Sequence, residues 1–246
     1  MLAEIVNAFV EMGKNTPVIA AHGCVHCGKS FVRESTLSTH MCERKRRFSQ
    51  EKEPGVQFGY QAYLKFYECT QPSNRNRTYE DFVNSDFYLA FVKFGRYQVE
   101  IRTINYISFT NWLLKHNKKL DQWTKEDYYV QWLHEYLRKE AVQDAMERGL
   151  KEMQNYADNE AKLNGDFTQY FVTGATNRIV HHIIDGRMSP WIIYNCKTGI
   201  DWLSSLTEEP VSLIMPWIDP DYWQKKFNDN SEDVRWVKNI LNEAGL

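Results

Sequence analysis

The strongest constraint on this chain is the spacing of cysteine and histidine near its start. Cys24 and Cys27 are separated by two residues, twelve residues then precede His40, and Cys42 follows after one more. Thiols and an imidazole at such spacing are the donors that hold a tetrahedral metal ion. The chain has five cysteines, an odd number, and three of them lie in this segment. The pattern therefore favours a metal site in a reducing compartment over a disulfide framework.

As far as His40, the segment has the spacing of a two-Cys, two-His zinc finger. Phe31 and Leu37 stand where that module has its small apolar core. The chain resembles this family over residues 24–42, which implies a small ββα module whose zinc ion supplies most of its folding free energy, on the order of 10 kcal/mol. We expect one structural zinc ion with four protein ligands: Cys24, Cys27, His40 and Cys42.

The fourth ligand departs from the family pattern, because only Met41 separates His40 from Cys42. Residues two apart on a regular helix point about 200° away from each other. Both side chains can face one ion only if the helix ends, so we expect a break at or near Met41. Three other side chains remain as alternative ligands: His22, His26 and the more distant Cys69. A chance cysteine pair, or a redox Cys-X-X-Cys that lacks its usual βαβ setting, are the other interpretations.

The same resemblance suggests a surface for nucleic acid. In a finger that reads DNA, the residue before the helix and those at its third and sixth positions contact base edges. Those positions are Arg33, Thr36 and Thr39 here, and Arg33 could bridge O6 and N7 of guanine. A run of four cations follows Cys42, and we expect it to contact phosphates: Arg44, Lys45, Arg46 and Arg47.

Charge is divided unevenly along the chain. The net charge is −2, but residues 1–119 hold 17 basic and 11 acidic residues, whereas residues 120–246 hold 13 and 21. This excludes a uniformly basic nucleic-acid coat and leaves contact at one end. We therefore expect a non-enzymatic, zinc-dependent nucleic-acid-binding or transcription/replication accessory protein, with DNA ahead of RNA as its partner.

Two other functions remain open. The first is a protein-interaction module that docks on a polymerase or another protein machine through its finger or its acidic helical part. The second is a nucleic-acid-processing enzyme, which rests on the cluster of His181, His182 and Asp185. That cluster lacks further matched carboxylates or histidines, so histidines on a helix surface or satisfied in the core are the stronger interpretation.

The periodicity predicts a mainly α (α+β) fold, with a ββα finger followed by a larger aromatic-rich helical domain. We expect an N-terminal helix and link at 1–21, the finger with its basic tail at 22–47, a linker at 48–59 and the helical domain at 60–246. Helix starts are indicated at Thr78, Ser189-Pro190 and Asp219-Pro220. Thr124 opens a long run that Gly149 weakens, and Gln98–Ile107 is the best strand candidate.

Three other segments extend the comparison beyond the finger. The segments Phe91–Tyr97, Ser189–Trp191 with Tyr194–Cys196, and Asp219–Gln224 resemble those of uncharacterised proteins of large tailed phages, including phages of cyanobacteria. That resemblance implies a protein of an infected bacterial cell and brings no activity with it. No apolar run reaches the roughly 18 residues of a membrane span, and no basic residue precedes Lys14. We therefore expect a cytoplasmic protein with no membrane partner.

Overall fold

The computed structural model describes residues 22–71 and 76–246, and helices account for 70 % of these residues. Within these residues the sheet structure is one antiparallel pair, β1 (His22–Gly23) and β2 (Ser30–Phe31). The fold is therefore mainly α with a small β part, as predicted. The helix and link expected at 1–21 lie outside the described residues.

The chain divides into two units, and the first comprises the described residues through Thr103 together with Asn117–Gln122. Its strands pair His22 with Phe31 and Gly23 with Ser30. Five helices and a 3₁₀ turn follow: α1 (Glu34–Thr39), α2 (Glu43–Ser49), α3 (Pro54–Thr70), α4 (Tyr79–Val83), α5 (Tyr88–Glu100) and the turn Leu120–Gln122. Residues 48–59, where we expected a linker, contain the end of α2, a turn and the start of α3.

Helices α3 and α5 approach each other closely because glycines line their crossing. Gly55 and Gly59 lie one turn apart on α3, and the backbone of Gly95 on α5 lies against both. A Cβ on Gly95 would overlap the carbonyl oxygen of Gly55 and the amide nitrogen of Gly59. Aromatic rings fill the space beside this crossing and are buried: Tyr63, Phe82, Tyr88, Phe91 and Phe94.

We predict that Gly95→Ala destabilises the protein by about 3 kcal/mol, since the overlapping atoms are backbone and can move only by separating the helices. The free energy of urea unfolding measures the effect. Gly23→Ala is the control, because nothing lies within 4 Å of its added Cβ, and it should change stability by less than about 0.5 kcal/mol. Equal effects of the two substitutions would contradict this account of the crossing.

The second unit comprises Ile104–His116 and Trp123–Leu246. Its helices are α6 (Tyr106–Lys115), α7 (Glu126–Lys139), α8 (Val142–Asn159), α9 (Tyr170–Thr173), α10 (Thr176–Ile184), α11 (Pro190–Ile193), α12 (Lys197–Ser204), α13 (Glu208–Ile218), α14 (Pro220–Asp229) and α15 (Ser231–Glu243), with a 3₁₀ turn at Phe167–Gln169. Trp191 and Trp223 are each only 1 % exposed in its core. None of the helices in the described ranges is both long enough and apolar enough to cross a membrane.

The long periodic run after Thr124 is two helices, and the break lies at Glu140 rather than at Gly149. Glu140 and Ala141 are extended, and the Arg148 guanidinium from α8 binds the carboxylate of Glu140 and the carbonyl of Gly186. The Glu140 side chain is 1 % exposed, so this bidentate pair fixes the junction. Gly149 instead gives room to Ile192 of α11.

Local cap signals predicted several helix starts, and the strand prediction was wrong. Thr78 forms a capping box with Asp81, and Ser189 and Asp219 each cap a helix that has proline next. Gln98–Ile107 contains the end of α5, a turn and the start of α6. Its β-branched residues lie in the turn that connects the two helices and beside it, and Arg102 in that turn has a φ of 49°.

Candidate metal centre

A tight turn after β1 positions the first two cysteines. The backbone N–H of Gly28 donates to the carbonyl of Cys24 (2.8 Å), and that of Cys24 donates to the carbonyl of Lys29 (2.9 Å). Gly28 has a φ of 71°, a left-handed conformation that glycine adopts without strain. The turn leaves Cys24 buried and Cys27 exposed, with both thiols on the side of the approaching helices.

Two helices meet at the other two ligands. Helix α1 ends at Thr39, and His40 is extended, with φ −66° and ψ 123°. Cys42 is the N-cap of α2, and its Sγ accepts a hydrogen bond from the backbone N–H of Lys45 at 3.4 Å. The predicted helix break beside Met41 is therefore present, and it lets residues two apart face the same point.

The four side chains converge to metal-binding distances. Their ligand atoms, three Sγ and one imidazole nitrogen, all lie within 4.8 Å of one another. The Sγ atoms of Cys24 and Cys42 are 4.0 Å apart, and Sγ of Cys27 is 3.3 Å from Nε2 of His40. Metal–sulfur bonds of about 2.3 Å in a tetrahedron give a sulfur–sulfur edge of about 3.8 Å. The Cys₃His cluster could therefore hold one metal ion.

Electrostatics in the cluster also favour a cation. Burial raises the pKa of Cys24, but backbone hydrogen bonds from Cys27 and His26 and contacts with neighbouring thiols lower it by more, so its net pKa is below the ordinary value. The backbone at Lys29 lowers the pKa of Cys27, but burial and the thiols of Cys24 and Cys42 raise it above the ordinary value. Neighbouring thiolates oppose each other's ionisation, and a bound divalent cation removes that opposition.

The module has a very small apolar core of its own. The Phe31 ring lies against the His40 ring, with centroids 4.7 Å apart, and Leu37 is half-buried. Helix α1 buries none of its residues completely. Such a core cannot fold a segment of this size alone, which is the situation in which a bound metal contributes folding free energy.

The alternative ligands lie outside the cluster. His22 is in β1, and the ring of His26 packs on Phe48 at 5.1 Å. Cys69 is exposed near the end of α3. In the described residues, one group of three or more histidine, cysteine or acidic side chains lies at metal-binding distance. It consists of Cys24, Cys27, His40 and Cys42.

The two sets of expected nucleic-acid contacts differ in their surroundings. Arg33, Thr36 and Thr39 are all exposed on and before α1. The basic run lies on α2, and its side chains contact other parts of the first unit. Arg44 binds the carbonyl of His26 and the carboxylate of Glu80, and Lys45 Nζ donates to the carbonyl of His40 at 3.1 Å. Sequence reasoning missed Glu80, which no local pattern connects to the cysteines.

The other two cations of the run are also engaged. Arg46 pairs with Glu43 on the same helix, and 53 % of its side chain remains exposed. Arg47 donates to the carbonyl of Val83 at 2.7 Å, pairs with Glu43 and places its guanidinium 4.4 Å from the centre of the Tyr88 ring. Arg46 is therefore the member of the run most open to an external phosphate.

The side chains of the histidine cluster in α10 diverge. His182 is 4 % exposed, with Nδ1 2.7 Å from the hydroxyl of Tyr170 and Nε2 3.4 Å from Glu152. His181 is exposed, and Asp185 lies 3.7 Å from Arg187. His182 is therefore a buried histidine with side-chain partners, and His181 lies on the surface.

Comparison of the chain with protein-family models, with curated proteins and with solved structures finds no match. The resemblance to phage proteins therefore stays a prediction. The structure itself defines the class: a mainly α-helical protein with a Cys₃His cluster that could hold one metal ion.

We predict that the reduced full-length protein binds one equivalent of Co²⁺ and develops the thiolate-to-cobalt absorption of a tetrahedral site. Cys42→Ser should weaken this binding by about 100-fold or more, because the metal–thiolate bonds supply most of the binding free energy. Cys69→Ser is the control, since this exposed cysteine lies outside the cluster. Absorption and affinity that survive Cys42→Ser unchanged would exclude Cys42 as a ligand.

Proposed function

We propose that the Cys₃His cluster holds one structural zinc ion. Three thiolates and one imidazole form the donor set that suits zinc, and they fill all four tetrahedral positions. Such a closed site leaves no position for an activated water, so the ion stabilises residues 22–49 and has no catalytic role.

We propose that the protein is a non-enzymatic, zinc-dependent nucleic-acid-binding protein that contacts nucleic acid through α1. The observation that carries this proposal is the exposure of the three positions at which a finger contacts bases, Arg33, Thr36 and Thr39. An arginine at the start of the helix suits bidentate contact with guanine. Two threonines beside it offer hydroxyl groups that can donate or accept.

Phosphate contact from the basic run falls mainly to Arg46 in this proposal. Arg44 and Arg47 would have to leave partners within the first unit before they could reach a phosphate. A single finger spans only about 3 bp, so binding of modest affinity and steep salt dependence is expected. The wider role beside a polymerase, in transcription or replication of a phage, rests on the sequence resemblance alone.

The test is duplex DNA binding by the full-length protein across a salt series, with zinc and after chelation. Arg33→Ala should weaken binding about 10-fold with little change in the salt dependence, because Arg33 contacts a base in this proposal. Arg46→Ala should reduce the slope of log affinity against log salt concentration by about 1, because it removes a phosphate contact. Chelation should abolish binding, because α1 depends on the metal for its fold.

Arg235→Ala provides the control for the loss of one exposed cation, since Arg235 lies on α15 of the second unit. It should leave both affinity and slope at the wild-type values. Binding that is indifferent to Arg33→Ala and to chelation would rule out the zinc-dependent surface on α1. Single-stranded DNA and RNA probes in the same assay identify the preferred nucleic acid.

A second candidate function is docking on a protein partner through the same module. The observation that favours it is the exposure of three apolar side chains there: Val25 at 90 %, Val32 at 66 % and Met41 at 60 %. Removal of such groups from water against a partner would contribute favourably to association.

We expect this alternative to show itself in affinity capture from nuclease-treated cell extract. A partner bound by the module should be retained by the wild-type protein and lost from a variant with Val32→Ser and Met41→Ser. The same partner should remain bound to a variant with Leu213→Ser, which changes an exposed apolar residue of the second unit. Loss of every partner on nuclease treatment alone would favour nucleic acid as the bridging component.

A further inference from the structure

The basic run has contacts that its sequence does not suggest. Arg44 and Lys45 lie two and three positions after Cys42, and both side chains fold back onto the backbone of the metal module. Nη1 of Arg44 donates to the carbonyl of His26, between the two cysteines of the turn, at 3.2 Å. Nζ of Lys45 donates to the carbonyl of His40 at 3.1 Å. These two cations therefore hold the backbone on both sides of the cluster.

Their positive charge suits the centre that they surround. A divalent ion with three thiolates and one neutral imidazole carries a net single negative charge. Cations near such a centre stabilise it, and outer groups that orient ligands change metal affinity by about 10- to 100-fold when removed. Lys45 contributes at the ligand itself as well, since its backbone N–H donates to Sγ of Cys42. That donor survives any change of its side chain.

Helix α2 also joins the metal module to α4 of the first unit. Arg44 Nη2 binds the carboxylate of Glu80 on α4, and Arg47 donates to the carbonyl of Val83 at the end of the same helix. The hydroxyl of Tyr79 donates to the carbonyl of Arg47 at 3.0 Å. The Phe48 ring lies between the rings of His26 and Tyr79, at 5.1 and 5.9 Å. Helix α2 thus contacts the ligand loop and α4 together.

We propose that Arg44 and Lys45 are positioning residues of the metal centre and that Glu80, through Arg44, sets part of its metal affinity. The proposal rests on the metal site proposed above. Because binding free energies are reciprocal, the contact that helps the metal to bind also makes the bound metal strengthen the packing of α2 on α4. The basic run is then part of the metal site, and α4 regulates the occupancy of that site.

The experiment measures Co²⁺ affinity of the full-length protein by competition with a chelator, with no nucleic acid present. Arg44→Ala and Lys45→Met should each weaken Co²⁺ binding about 10-fold, and Arg44→Lys should recover part of the loss. Glu80→Gln should weaken it about 3-fold, since the pair is partly exposed. The control is Arg46→Ala. It removes a cation of the same run whose side chain pairs with Glu43 on α2, so the Co²⁺ affinity should not change.

A double-mutant cycle tests the route through Arg44. In the Arg44→Ala background, Glu80→Gln should cause no further loss of Co²⁺ affinity. The Glu80 carboxylate acts on the metal site through the Arg44 side chain, which is absent from that variant. The cobalt absorption bands should shift in Lys45→Met, which a merely structural loss of stability would not cause. Glu80→Gln alters a 65 % exposed carboxylate and keeps the test available if Arg44→Ala fails to fold.

Three results would overturn the inference: equal weakening by Arg46→Ala and Arg44→Ala, wild-type affinity in all of the variants, or an additive cycle. Failure of the inference is distinct from failure of the proposed function. If the wild-type protein binds no metal, the site itself is refuted. If metal binds normally in every variant, only the positioning role is refuted, and DNA binding through Arg33 is unaffected.

Discussion

Three thiols and an imidazole must meet at one point, although His40 and Cys42 are separated by a single residue. A continuous helix would turn these two side chains about 200° apart, so the helix has to end between them. That break creates the N-terminus of α2 at Cys42, whose Sγ accepts from the backbone of the new helix. It also places the basic run on the first turns of α2, where Arg44 reaches α4. The fold of residues 22–49 follows from this one geometric requirement.

The sequence predicts which four side chains converge, because metal-binding geometry is encoded in short spacings. Two residues between the cysteines allow one turn, and one residue between His40 and Cys42 demands a break, so both features can be derived without a structure. The role of the basic run cannot be derived in this way. A run of cations after a finger suggests phosphate contact, yet Glu80 and the carbonyl of Val83 lie more than thirty positions away. Which anion or carbonyl a cation meets depends on the tertiary fold.

The same division between local and distant signals holds for the helical body. Cap residues such as Thr78, Ser189 and Asp219 act within three residues, and they predict where helices begin. The junction between α7 and α8 depends on a buried pair of Glu140 and Arg148, eight residues apart, with Gly186 as a third partner. Gly149 looks like a helix breaker in sequence but gives space to Ile192. His182 and its neighbour His181 differ in burial, and no sequence pattern reveals which of the two is buried.

Helix α1 has little to stabilise it apart from the cluster beside it. It has six residues, buries none of them completely, and has no side-chain hydrogen bond at its N-cap. An isolated helix of that length is not stable in water, because nucleation costs more than so few hydrogen bonds return. Its C-terminal end is held at His40, whose ring lies against Phe31 of β2. If the cluster holds an ion as proposed, the surface of α1 is ordered only while that ion is bound, and the proposed recognition through Arg33 is then thermodynamically linked to metal binding.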